Sequence, residues 1–178
     1  MQKSSSPVSV FDLVESDLRP IAEGFGILLF CHLMIERLLE ELLWCAGKQV
    51  GEDWEKELIG TSFHRKLGAC QHRKISFEGQ STPIISGELR DALDYLNDLR
   101  NRTAHDYNRP LTFEEVHYYV ALLGRAGVDF TDHIDADGAT ARELGYTDPF
   151  ALLHEATKHL FSDLGYVLER AGGPDLVA

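Results

Sequence analysis

The sequence predicts an all-α protein, an antiparallel helical bundle of about five main helices in a single domain over residues 1–178. Three observations predict it. Apolar residues recur at steps of three and four through most of the chain. Runs of alternating polarity long enough to make a strand are missing. Helix starts and stops are marked by capping residues, prolines and glycines. With 44% apolar and 26% charged residues, a chain of this length buries a core without a disulfide or metal staple.

Residues 1–7 read as a flexible polar leader. Val10, Phe11, Leu13, Val14 and Leu18 then recur at helical spacing. Pro20 opens a second and stronger helix at a position proline tolerates. Ile21, Phe25, Leu28, Leu29, Leu33, Ile35, Leu38, Leu39, Leu42 and Leu43 carry it to about Ala46, with Gly47 placed to stop it. Glu36, Arg37, Glu40 and Glu41 form its polar face. A helical turn is expected near 53–59 and a helix near 63–72, followed by a loop over 74–83 rich in Gly, Ser, Thr and Pro. Ser86 caps the next helix, where Leu89, Leu93, Leu96 and Leu99 run on to about Ala104 before Asn108-Arg109-Pro110 breaks it. Thr112-Phe113-Glu114-Glu115 is a capping box that opens a helix to about Ala126. Residues 127–147 read as a connecting loop, and Asp148-Pro149 begins a C-terminal helix over 148–171.

Seventeen basic residues against 29 acidic ones give a formal charge of −12, which excludes an extended basic surface of the kind that coats long nucleic acid. A small local basic site is still compatible with that balance. Cys31, Cys45 and Cys70 are an odd number without CxxC spacing, as expected of free thiols in a reducing cytoplasm. The N-terminus lacks the apolar core of a signal peptide, and residues 24–33 are too short to span a bilayer. A cytoplasmic protein away from membranes is the expectation.

The densest polar cluster is Asn97-Asp98-Leu99-Arg100-Asn101-Arg102-Thr103-Ala104-His105-Asp106-Tyr107. Arg100 offers a fixed charge and forked donors suited to phosphate oxygens, and His105 can exchange a proton near neutral pH. Asn101 can hydrogen-bond phosphate or orient the imidazole. On a continuous helix five residues turn through about 140°, so Arg100 and His105 would not share a face. They meet in one cleft if the helix loosens near Ala104, or if a two-fold partner supplies facing copies.

Leu99-Arg100-Asn101-Arg102-Thr103-Ala104-His105 resembles the R-x4–6-H motif of HEPN domains in its R-N-x-x-A-H form. The long helix containing His32-Leu33-Met34-Ile35-Glu36-Arg37-Leu38-Leu39-Glu40-Glu41-Leu42 and the segment Phe63-x-x-Lys66-Leu67 are similar to the same superfamily, over roughly residues 20–126. The resemblance implies an all-α fold that often dimerises, with the motif in a cleft at the dimer interface. It also implies a metal-independent endoribonuclease of toxin–antitoxin or other defence systems, with RNA as substrate, an antitoxin or other protein as a further partner, and no cofactor. Arg100, His105 and Asn101 would then be the catalytic set. The RNA 2′-hydroxyl would attack the adjacent phosphate and leave DNA uncut.

Other roles compete for the same residues. Cations suit a helix C-terminus, so His105 can cap carbonyls there while Arg100 pairs with Glu36 or Glu40. A HEPN module without catalysis would bind RNA, a nucleotide or a protein. Arg65, Lys66, Arg73 and Lys74, with His64 and His72, make the one sizeable basic island; with Arg102 they are the candidate RNA-backbone contacts, or else a solvated helix end. His32 and Glu36 share a face, as a local hydrogen bond, a weak metal pair or a support for the Arg100 cleft. His154-Glu155-Ala156-Thr157-Lys158-His159 is one residue too long for H-E-x-x-H, and Asp132, Asp135 and Asp137 lack the full calcium-loop pattern, so no metal site is expected. Tyr118, Tyr119, Leu122 and Leu123 suit a core or a dimer interface.

Overall fold

The computed structural model describes residues 25–52, 54, 60–105 and 111–173. The expected leader and the helix through Val10 and Leu18 lie outside them, as does most of the turn near 53–59. The described chain is an all-α bundle. Its helices are α1 (Phe25–Val50), α2 (Phe63–His72), α3 (Gly87–His105), α4 (Phe113–Arg125), the short α5 (Gly138–Glu143) and α6 (Pro149–Arg170). The central helix is α1, which packs against α2, α3 and α6, while α4 closes the bundle against α3 and α6. Its stripe of Leu28, Ile35, Leu38, Leu39 and Leu42 is fully buried in one apolar core with Leu93 and Leu96 of α3 and Leu152 and Leu160 of α6. Burying one such side chain contributes about 1.5–3 kcal/mol, which is why this stripe fixes the bundle. Cys31, Cys45 and Cys70 are buried free thiols whose pKa burial raises, so they act as small core residues.

The expected caps form. The Thr112 hydroxyl accepts from the Glu115 N–H at 3.2 Å while the Glu115 carboxylate accepts from the Thr112 N–H at 3.2 Å, completing the capping box of α4. Asp148 accepts from the Ala151 N–H at 3.1 Å, with Pro149 opening α6. Three expectations need correction. Gly47 does not end α1, which runs to Val50; Gly51, at φ 76°, follows it instead. Gly47 is a packing position, because a Cβ there would stand 2.8 Å from the Glu52 carbonyl oxygen and 3.3 Å from the Trp54 ring. The loop over 74–83 contains an antiparallel hairpin, β1 (Lys74–Phe77) and β2 (Gln80–Pro83), with Ile75 opposite Thr82. Glu78 and Gly79 make its two-residue turn, both at positive φ, as the twist of a tight hairpin requires. Gln49 of α1 fastens it, donating to the Ser76 carbonyl and accepting from the Ser76 N–H, each at 2.7 Å. The connection over 127–147 holds α5, capped by Asp137, and buries Val128, Phe130, Ile134 and Ala141. Among the described residues no helix is long and apolar enough to cross a membrane.

Candidate functional site

A polar seam runs between α1, α2 and α3 from the buried interior to the partly exposed Glu36 and Glu40. It begins with His32, which falls between Leu28 and Ile35 on the buried stripe of α1 and is fully buried with them. A buried imidazole needs partners. Its Nε2 lies 3.2 Å from the Asn97 Oδ1 of α3, and the Phe63 ring of α2 covers it at 4.2 Å between centroids. Burial lowers the His32 pKa, and the Arg100 charge lowers it further against the opposing pull of Asn97 and Glu36, so the ring is neutral near pH 7. With Asn97 Oδ1 as acceptor, Nε2 carries the proton. Nδ1 is then bare, with no hydrogen-bond partner among the described residues and the Glu36 carboxylate 3.9 Å away.

Lys66 occupies the next level of the seam. Phe63, Lys66, Leu67 and Cys70 form the buried stripe of α2, so the lysine side chain turns inward. Its ammonium donates to Glu36 at 2.5 Å and to Glu40 at 2.6 Å, both on α1. Burial works to lower the Lys66 pKa, but the hydrogen bonds and charges of the two glutamates outweigh it and raise the pKa. Lys66 therefore leaves the basic island expected for RNA: it is buried, and two carboxylates hold its charge. Arg65 and Lys74 are exposed, and Arg73 is half-buried with its guanidinium 4.3 Å from the Trp54 ring centroid. His64 is exposed and bonds Asp94 at 3.0 Å.

The motif is the last part of α3, which stays helical through His105. Arg100 is half-buried; its Nη1 donates to the Asn101 Oδ1 at 2.7 Å, and its Nε is buried with no hydrogen-bond partner among the described residues. The expected alternative partners of Arg100, Glu36 and Glu40, are bonded by Lys66 instead. His105 is exposed. Arg102 is exposed too, paired with Glu115 at 3.3 Å and set 5.9 Å from the Tyr95 ring centroid. The helix does not loosen at Ala104, so one copy of the chain turns Arg100 and His105 about 140° apart. Tyr119 and Leu123 are core residues, whereas Tyr118 is exposed and meets the Tyr95 ring edge-on at 5.0 Å.

The bond from His32 to Asn97 and the Lys66 bridge were not singled out from sequence. The second had a signal: Phe63, Lys66, Leu67 and Cys70 are spaced i, i+3, i+4, i+7, which puts the lysine inside an apolar stripe. Comparison with protein-family models, with curated proteins and with solved structures gives no match to this chain.

Proposed function

We propose that the chain is a metal-independent endoribonuclease of HEPN type that works as a homodimer. One observation carries the reading: a single helix end presents a half-buried arginine tied to Asn101 and, five residues on, an exposed histidine. Two-fold pairing would bring Arg100 of one copy opposite His105 of the other, which the turn between them prevents within one copy. In that cleft His105 takes the proton of an RNA 2′-hydroxyl as its oxygen attacks the adjacent phosphorus, and the bond to the 5′-oxygen breaks. The proton then passes to the leaving 5′-oxygen, and Arg100 stabilises the charge developing on the phosphoryl oxygens. The products are a 2′,3′-cyclic phosphate and a 5′-hydroxyl. The resemblance places such an enzyme in a toxin–antitoxin or other defence system, where a protein partner would restrain it.

The test is cleavage of RNA in excess chelator by the wild type, Arg100→Ala and His105→Ala, with the product ends identified. Cyclic-phosphate ends from the wild type alone support the reading; since His105 is exposed, its replacement should leave the melting temperature nearly unchanged. One observation favours a second reading, a HEPN module that binds without cutting. Carboxylates hold both Lys66 and Arg102, which reduces the cations left for an RNA backbone. Salt-sensitive RNA binding by a wild type that never cuts would select it.

A further inference from the structure

We infer that His32 is a positioning residue for Arg100: its imidazole, bonded to Asn97, holds the α3 face from which the guanidinium projects. The kinetic consequence rests on the nuclease reading, but the geometry does not. Asn97 and Arg100 are three residues apart on α3 and so share a face. The Asn97 carbonyl accepts from a ring that is itself immobile, being fully buried in the α1 stripe under Phe63. A leucine at position 32 would suit the stripe; the imidazole adds a directional bond between α1 and α3, which sliding or rotation of either helix would break.

Arg100 depends on that bond because nothing stronger holds it among the described residues. An arginine this buried is ordinarily gripped by a carboxylate. Here Glu36 and Glu40 are engaged by Lys66, and among the described residues the Arg100 Nε has no partner while Nη1 bonds its own neighbour Asn101. The direction of the guanidinium is therefore set by where α3 lies. The groups facing the imidazole are Glu36 on α1, Lys66 and Phe63 on α2, and Asn97 and Arg100 on α3. A neutral ring accepts the guanidinium charge beside it, whereas a protonated one would repel it and draw Glu36 from Lys66.

The experiment compares His32→Gln, His32→Leu and Asn97→Leu with the wild type. A glutamine keeps a neutral N–H donor for Asn97, and a leucine does not. The Arg100 Nε–H resonance is followed by NMR in nitrogen-15-labelled protein, assigned by its loss in Arg100→Lys. Cleavage of a labelled single-stranded RNA gives kcat and KM. His32→Leu and Asn97→Leu should move or broaden the Arg100 resonance and lower kcat by about ten- to a hundredfold. KM should stay within about threefold, and His32→Gln should keep both readouts near wild type. An Arg100 resonance unmoved in folded His32→Leu overturns the inference, as does a His32→Gln as impaired as His32→Leu. If His32→Leu does not fold, Asn97→Leu removes the same bond from the other helix and decides by the same readouts. If the wild type does not cut RNA, the nuclease reading fails and the resonance alone decides the role of His32.

Discussion

Arg100 and His105 lie on one unbroken helix, about 140° apart around its axis, the first half-buried and the second exposed. On the proposed reading, a second copy of the chain supplies the His105 that meets Arg100 at one phosphate. The other features of the seam make separate predictions.

Lys66→Ala should destabilise the fold by about 2–3 kcal/mol, less than the cost of breaking a fully buried pair because Glu40 is partly wet. It leaves Glu36 and Glu40 one helical turn apart without their shared cation. Urea unfolding at pH 7 measures the loss. Lys66→Ala combined with Glu36→Gln and Glu40→Gln should recover part of it by removing the stranded charges.

Stability should fall as the pH drops through about 6.5. The His32 pKa in the fold lies below its ordinary value, through burial first and the Arg100 charge second. The unfolded chain therefore binds this proton more readily, and unfolding gains as pH falls toward the folded-state pKa. Above the ordinary value the contribution is flat. Urea unfolding from pH 8 to pH 5 should show a slope that is smaller in His32→Gln, which has no proton to take up. Equal slopes in the two proteins would contradict the neutral ring.

Gly47→Ala should cost about 1–3 kcal/mol although alanine is the better helix former. The atom its Cβ meets first, the Glu52 carbonyl oxygen at 2.8 Å, belongs to the backbone and cannot swing away. Thermal unfolding would show a lowered midpoint; a raised one would mean that Gly47 acts only as a weak point in α1.

These cases also mark how much of the molecule was legible in the sequence. The five long helices were, because apolar spacing and caps such as Thr112–Glu115 and Asp148–Pro149 are local signals. The hairpin was not: its strands have four residues each, and its Glu78-Gly79 turn is a weaker sign than Asn-Gly or Asp-Gly. Gly47 misled because a glycine after an apolar run looks the same whether it stops a helix or admits a neighbouring ring. At the site, Arg100, Asn101 and His105 stood out by residue type, and their divergence followed from helix geometry. That Lys66 rather than Arg100 takes Glu36 and Glu40, and that His32 reaches Asn97, depends on how three helices pack. Local spacing does not encode that.

The most direct test of the central claim mixes Arg100→Ala and His105→Ala chains, each inactive alone, by joint unfolding and refolding. In a heterodimer one cleft joins the intact Arg100 of one chain with the intact His105 of the other. The mixture should regain roughly a quarter of wild-type RNA cleavage, since half the dimers are mixed and each holds one of two clefts. No activity in a mixture of well-folded dimers, beside an active wild type, would contradict a site shared between two copies of α3.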